Sequence, residues 1–132
     1  MRETFNLQLK RLQAGPFLSE IVGHFDAVRE GIMVPTDRKM FMYAAHDLTI
    51  SNVLNSLGIY DGLAPPFSSM VIIELYNVDS LYRVKISYRN DTSNPPQVLT
   101  IPGCNQLCPL QMFKQLTASV RPANWPQECQ LG

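Results

Sequence analysis

The sequence predicts an α/β fold, in which a strand–turn–helix unit is followed by an antiparallel meander and a final helix. Apolar residues recur with helical spacing in three separate segments, an uninterrupted apolar run precedes the second of these, and a strictly alternating run follows it. With 132 residues, 45% of them hydrophobic and 17% charged, the chain has the composition and the size of one small globular domain.

The first predicted helix begins at Pro16, since proline suits the first turn of a helix, and ends near Glu30. Its apolar positions, three and four residues apart, are Phe17, Leu18, Ile21, Val22, Phe25 and Val28. His24 borders this apolar stripe. Because most histidines on amphipathic helices only pack, we interpret His24 as a partly buried structural residue rather than a catalytic one.

The strand–turn–helix unit begins with an apolar run, Met40–Ala45, that shows no alternation. Such a run predicts a strand that is covered on both faces, as in a parallel sheet. It leads directly into His46 and Asp47, and the helix that follows ends at Gly58. The apolar face of this helix consists of Ile50, Val53, Leu54 and Leu57. The His-Asp pair is therefore expected at the turn between strand and helix.

The second half of the chain predicts an antiparallel meander. Met70–Tyr76 is a mostly apolar strand, and Asp79 and Ser80 form a turn. The next strand alternates strictly between polar residues and the apolar residues Tyr82, Val84, Ile86 and Tyr88. Val98–Ile101 is a third strand. The final helix begins at Pro109, with an apolar side formed by Leu110, Phe113, Leu116 and Val120.

Charge and hydropathy disfavour several function classes. Eleven basic and eleven acidic residues cancel, so the chain has no strong field for nucleic acid or an anionic membrane. The longest apolar run is far shorter than the roughly 20 residues of a membrane-spanning helix. The N-terminal segment Met1–Asn6 lacks the apolar core of a signal peptide, which taken literally predicts a cytosolic protein.

Cysteines and a glycosylation sequon favour the secretory pathway instead. Cys104 and Cys108 lie four residues apart, where a tight turn allows a short disulfide loop, and Cys129 stands alone. A zinc site is disfavoured, because it needs about four ligands and the chain has two histidines, both distant in sequence. The sequon that begins at Asn90 lies in a polar, turn-rich stretch, where an acceptor would be exposed.

The expected position of His46 and Asp47 is one at which α/β proteins bind ligands, beyond a strand and at a helix N-terminus. The free N–H groups and partial positive charge of such a terminus suit a phosphate, and His46 can donate hydrogen bonds to an anion. Asp47 could protonate the alkoxide that leaves a phosphate ester and then help to activate water. Aspartate is also a favoured N-cap residue, so position alone leaves simple helix capping open.

The residues around this pair resemble a known family. Met42–Thr49 is similar to the Y-S-A-H-D-x-T element of the histidine acid phosphatases of the prostatic and lysosomal type, which belong to the histidine phosphatase superfamily. Arg11–Gly15 resembles the family's R-L-Q-G-G, with Ala14 in place of the first glycine. The resemblance runs from about Leu9 to Cys129, and its other stretches are Tyr60–Phe67, Glu74–Tyr76, Tyr88–Thr92, Leu99–Leu110 and Trp125–Cys129.

The resemblance implies the C-terminal part of a histidine-phosphatase (phosphoglycerate mutase-like) fold, with residues 1–132 as the C-terminal portion of one domain whose N-terminal portion is absent. It implies hydrolysis of phosphate monoesters through a phosphohistidine, with His46 binding phosphate and Asp47 donating the proton. The family's nucleophile lies in an Arg-His-Gly-x-Arg-x-Pro motif that this sequence lacks, so we expect the chain alone to be inactive. The alternatives are a secreted non-catalytic binding protein on the same fold, or a lysophospholipid or inositol-phosphate phosphatase.

The resemblance also implies a bond between Cys104 and Cys108, and a bond from Cys129 to a cysteine in the absent portion. We expect glycosylation at Asn90 and a secreted or lysosomal location, with the signal peptide in the absent portion. The implied partner is a small-molecule phosphate monoester, without cofactor or metal, and a homodimer of the complete protein is allowed. Because a carboxylate in a buried strand is costly unless paired, we interpret Glu74 as a structural partner rather than a catalytic residue.

Overall fold

The chain folds into α-helices and a four-stranded antiparallel sheet in the computed structural model, which describes residues 6–130. The helices of this part are α1 Leu7–Gln13, α2 Gly15–Glu30, α3 Asp47–Ser56, α4 Leu110–Thr117 and α5 Trp125–Glu128. The strands are β1 Met70–Val78, β2 Leu81–Arg89, β3 Gln97–Leu99 and β4 Cys108–Pro109, and a 3₁₀ turn covers Ala118–Val120. Between residues 6 and 130, no helix is both long and apolar enough to cross a membrane.

The sequence does not predict helix α1, because this helix has no buried apolar face: Leu7 and Leu9 are both exposed. Asn6 caps it, and its Oδ1 accepts a hydrogen bond from the N–H of Leu9 at 2.8 Å. Most of the segment Met1–Asn6, in which no signal peptide is expected, lies outside the described residues.

Helix α2 confirms the first predicted helix at both ends. Pro16 lies in its first turn, and Gly31 follows its last residue with a φ of 71°, a left-handed conformation that suits glycine. Of the predicted apolar stripe, Leu18, Ile21 and Val22 are buried, whereas Val28 is exposed. The buried residues lie in the first half of α2, so this half is anchored most firmly in the core.

Strand β2 is the central strand of the sheet. It pairs with β1 along its whole length, and with β3 and β4 on its other side. The turn between β1 and β2 consists of Asp79 and Ser80, which have φ angles of 51° and 66°, as two-residue hairpins of the commonest type require. The predicted meander is thus confirmed. The third strand ends earlier than predicted, because Ile101 begins a turn, accepting a hydrogen bond from the N–H of Cys104.

The hydrophobic core lies between α2, α3, α4 and the inward face of β2. Leu18 and Phe113 are fully buried within it. The other buried members of this cluster are Ala14, Val22, Val53, Leu57, Val84, Ile86, Ile101, Cys108, Leu110 and Val120. Val53 comes from the second half of α3 and Leu57 directly follows the helix, whereas residues 46–48 at its N-terminal end are exposed.

The predicted strand at Met40–Ala45 is wrong for this chain. The segment makes no β-pairing in the described structure, and it is not covered on both faces: Met40 is 73% exposed and Met42 is 87% exposed. A strand needs a hydrogen-bonded neighbour, and the four strands of the sheet pair only with one another. An apolar run alone cannot supply that neighbour.

The helix predicted from Pro109 is α4, which has Pro109 as its N-cap and ends at Thr117, so that Val120 of the predicted apolar side lies in the 3₁₀ turn that follows. Leu110, Phe113 and Val120 are buried, whereas Leu116 is exposed and Thr117 is buried in its place. The hydroxyl of Thr117 donates a hydrogen bond to the carbonyl of Phe113 at 2.8 Å, which satisfies this polar group inside the core. Helix α5, which the sequence does not predict, then packs against α1.

Candidate active site

The start of α3 places His46 and Asp47 side by side at the protein surface. His46 is the N-cap residue, with extended backbone angles of −104° and 164°, and Asp47 is the first helical residue. The predicted helix is confirmed, since Val53, Leu54 and Leu57 are buried and Gly58 follows with a φ of 74°. This buried face fixes the helix axis, so the exposed pair is presented at a defined end of a rigid element.

The backbone angles and hydrogen bonds at this helix end identify His46, and not Asp47, as the N-cap residue. The backbone N–H of His46 donates to Oγ1 of Thr49 at 3.4 Å, and the N–H of Leu48 donates to Oδ1 of Asp47 at 2.7 Å. Asp47 therefore does not occupy the N-cap position that the capping interpretation assigns to it. A carboxylate in the first turn still interacts favourably with the helix dipole. Both side chains are exposed, so a ligand can reach them.

His24 lies against the segment that leads to this pair. Its side chain is 25% exposed, as expected for a partly buried residue. Its ring stacks on Phe41 with 3.7 Å between ring centroids, and Nε2 lies 3.1 Å from the hydroxyl of Tyr43. The sequence could not predict this link, because His24 and the two aromatic residues belong to different segments and no periodic pattern relates them.

The cysteine arrangement agrees with the expectation for the local pair. Cys104 and Cys108 form a disulfide, with their Cα atoms 5.6 Å apart, in the loop that leads into β4. Cys129 is a free, exposed thiol. Asn90 is exposed directly after β2, in a position that a glycan could reach. Within residues 6–130, no three His, Cys, Asp or Glu side chains lie close enough together to hold a metal ion.

Glu74 is paired, as predicted, but it is not buried. It lies opposite Lys85 on the neighbouring strand, with 3.9 Å between its Oε2 and the lysine Nζ, and its side chain is 39% exposed. The hydroxyl of Tyr76 donates to its Oε1 at 3.1 Å, and this hydrogen bond raises the pKa of Tyr76. The contacts are those of a cross-strand structural pair.

A cavity of about 400 Å³ lies elsewhere, on the outward face of the sheet. It includes neither His46 nor Asp47, and its lining is mostly apolar. The residues that line it are Tyr76, Val78, Lys85, Val98, Gln106 and Leu107. His46 and Asp47 thus lie at an exposed helix end, apart from this cavity.

Comparison with known proteins decides the family. The sequence model of the histidine phosphatase superfamily (branch 2) matches residues 3–89, more than half of the chain. The chain belongs to this superfamily. The matched range includes His46 and Asp47. Membership confirms the resemblance, and it agrees with the predicted fold class: an α/β arrangement with an antiparallel sheet and a final helix.

The relatives of this chain include acid phosphatases. The chain is 40% identical to prostatic acid phosphatase from Homo sapiens over 119 residues, which cover 90% of the chain and 30% of the relative. It is 38% identical to lysosomal acid phosphatase from Rattus norvegicus over 126 residues, which cover 95% of the chain and 29% of the relative. The chain thus spans about 30% of the length of the curated relatives that it matches.

Proposed function

We propose that this chain is the C-terminal portion of a histidine acid phosphatase domain and supplies the phosphate-binding and proton-donating half of its active site. The observation that carries the proposal is the exposed His46–Asp47 pair at the N-terminal end of α3, in a chain of this superfamily. A helix N-terminus presents backbone N–H groups and partial positive charge to an anion. The imidazole of His46, next to it, adds a donor of its own.

The proposed chemistry assigns one proton transfer to Asp47. A nucleophilic histidine from the rest of the domain takes the phosphoryl group, and the ester P–O bond breaks. The departing alkoxide takes its proton from the carboxyl group of Asp47, which then accepts a proton from the water that hydrolyses the phosphohistidine. The histidines of the chain are His24 and His46, and neither follows an arginine as the family's nucleophile does.

The same proposal covers the substrate, the cellular location, the covalent modifications and the oligomeric state of the complete protein. The substrate is a small phosphate monoester. A lysophospholipid or an inositol phosphate is the alternative substrate, because its phosphate group would make the same contacts. A secreted or lysosomal location, a glycan on Asn90, a bond from Cys129 to a cysteine of the remaining domain and a homodimer belong to the same proposal. The exposure of Asn90 and Cys129 supports two of these modifications.

A chimera tests the proposal. Residues Leu9–Cys129 replace the matching segment of prostatic acid phosphatase, which restores a nucleophilic half, and hydrolysis of an aryl phosphate is measured in acid. We expect turnover by the chimera and none by the 132-residue chain alone. A folded chimera without turnover favours the non-catalytic binding protein, and turnover by the chain alone contradicts the division of the site into two halves.

A further inference from the structure

The segment that delivers His46 to the helix has little backbone support. Residues 39–45 form neither helix nor strand, and they make no β-ladder hydrogen bonds in the described structure. The last backbone hydrogen bond before them closes the turn from Arg38 to Pro35. Side-chain contacts must therefore hold this segment against the core.

Those contacts come from one face of α2. His24 stacks on Phe41, with the two rings 14° from parallel, and its Nε2 lies 3.1 Å from the hydroxyl of Tyr43. The ring of Tyr43 also meets Phe17 edge-on, with 5.0 Å between the ring centroids. In extended chain, residues two apart point to the same side. Phe41 and Tyr43 accordingly face α2, while Met40 and Met42 point away and are exposed.

Two attachments two residues apart restrain the segment more than one could. A single contact leaves the chain free to pivot, whereas attachment at Phe41 and at Tyr43 fixes both its position and its direction. Tyr43 lies only three residues before His46, so the direction set there carries into the N-cap of α3. His24 takes part in both attachments.

We propose that His24 is a positioning residue for the His46–Asp47 site, acting through Phe41 and Tyr43. This inference rests on the proposed function, because it concerns the same phosphate site. It revises the interpretation of His24 as a residue that only packs. Removal of its ring leaves Phe41 without a stacking partner and the hydroxyl of Tyr43 without its 3.1 Å partner.

The link does not require one charge state of His24. Burial, and secondly the charge of Glu20, raise the pKa of Tyr43, so its hydroxyl stays protonated. That hydroxyl can donate to a neutral imidazole and accept from a charged one. Glu20 Oε1 lies 3.7 Å from Nε2, and the guanidinium of Arg38 lies over the same Phe41 ring at 5.2 Å from its centroid. The attachment therefore persists in acid.

Nuclear magnetic resonance of the ¹⁵N-labelled chain, at concentrations where it is monomeric, tests the inference with two readouts. Heteronuclear relaxation of residues 41–46 reports the order of the segment. Titration with inorganic phosphate, against chloride at equal ionic strength, reports binding through the amide shifts of His46, Asp47 and Leu48. The variants are His24→Ala, His24→Gln and, as a control at the exposed end of the same helix, Glu30→Gln.

We expect His24→Ala to loosen residues 41–46 and to weaken phosphate binding about three- to tenfold, because apparent affinity falls with the fraction of chain in the competent arrangement. His24→Gln, which keeps a planar polar group, should recover part of both effects, and Glu30→Gln should match the parent. If His24→Ala unfolds the chain, Tyr43→Phe decides, since it removes only the hydroxyl and should loosen the same segment.

Different results would overturn the positioning role of His24 and the proposed function of the chain. Phosphate binding in the parent that His24→Ala leaves unchanged overturns the positioning role alone, as does a folded Tyr43→Phe variant with parental order and affinity. The absence of phosphate-dependent shifts in the parent overturns the proposed function, and the positioning role with it.

Discussion

At the residue scale, His46 and Asp47 show how adjacent positions at a helix end differ. His46 has extended backbone and caps α3, whereas Asp47 is already helical. The periodic apolar face of α3 allows the sequence to place the pair at a helix start. The sequence cannot show which of the two residues is the N-cap, since that depends on their backbone angles. Aspartate in the first turn stabilises a helix by about 0.3–1 kcal/mol, apart from any proton transfer.

Two glycines of α2 make a matched pair for testing the packing. A Cβ on Gly15 would clash with the carbonyl oxygen of Val120, whereas one on Gly23 would meet nothing within 4 Å. We expect Gly15→Ala to lower the free energy of unfolding by about 1–3 kcal/mol through overpacking. Gly23→Ala should raise it by roughly 0.5–1 kcal/mol, because alanine favours the helix.

Urea unfolding followed by circular dichroism measures both changes. Equal effects of the two substitutions would show that the start of α2 does not pack against the 3₁₀ turn as described.

At the element scale, the segments that could be predicted are those whose own pattern determines their environment. Helices α2 and α3 have periodic apolar faces, and β2 alternates, so each pattern specifies one buried side. The segment Met40–Ala45 is different, because a continuous apolar run specifies burial but not the neighbour that provides it. Helices α1 and α5 have no buried residues, so the sequence carries no signal for them.

The contact between α5 and α1 includes an ion pair, so we expect it to depend on pH. Arg11 Nε donates to Oε2 of Glu128 at 3.0 Å, and this hydrogen bond lowers the pKa of Glu128. The contribution of this pair to stability is therefore present above the usual value of 4.5, and it is lost as the pH falls through the lowered folded-state pKa. Trp125 reports the contact, because its Nε1 donates to the carbonyl of Leu12 at 3.0 Å.

Trp125, the chain's single tryptophan, is already 43% exposed, and we expect its fluorescence to shift further towards that of a fully exposed indole as the pH falls below 4.5. Glu128→Gln should show the shifted spectrum already at neutral pH and should lose the further shift on acidification (the acid step). Glu30→Gln should titrate like the parent. An acid step that survives in Glu128→Gln would assign it to another carboxylate.

At the scale of the whole molecule, large apolar side chains are exposed in two loops. Met42 is 87% exposed and Phe67 is fully exposed, and Ile32, Val34, Met40 and Leu63 are exposed beside them in sequence. Composition could not predict this surface, because an apolar residue in a sequence predicts burial and does not reveal what covers it. Exposed apolar surface of this kind favours association.

We expect the chain alone to self-associate as its concentration rises, since association removes this surface from water. Sedimentation velocity across a concentration series measures it. Met42→Lys and Phe67→Ser should reduce association without changing the circular dichroism spectrum, whereas Leu7→Ser, exposed on α1, is the control. A parent chain that remains monomeric and melts sharply would contradict this expectation and indicate a self-sufficient domain.

The central claim is that Asp47 donates the proton to the leaving group, and Asp47→Asn in the chimera with prostatic acid phosphatase tests it most directly. Asparagine keeps the size of the side chain and the oxygen that accepts a hydrogen bond from the N–H of Leu48, but it has no acidic proton to donate. The measurement is kcat/KM for an alkyl phosphate and for an aryl phosphate with a good leaving group. We predict a loss of about 10²- to 10⁴-fold for the alkyl ester and a much smaller loss for the aryl ester, whose leaving group needs little protonation. Near-normal rates for both esters would contradict the claim and leave Asp47 with only its role in the first turn of α3.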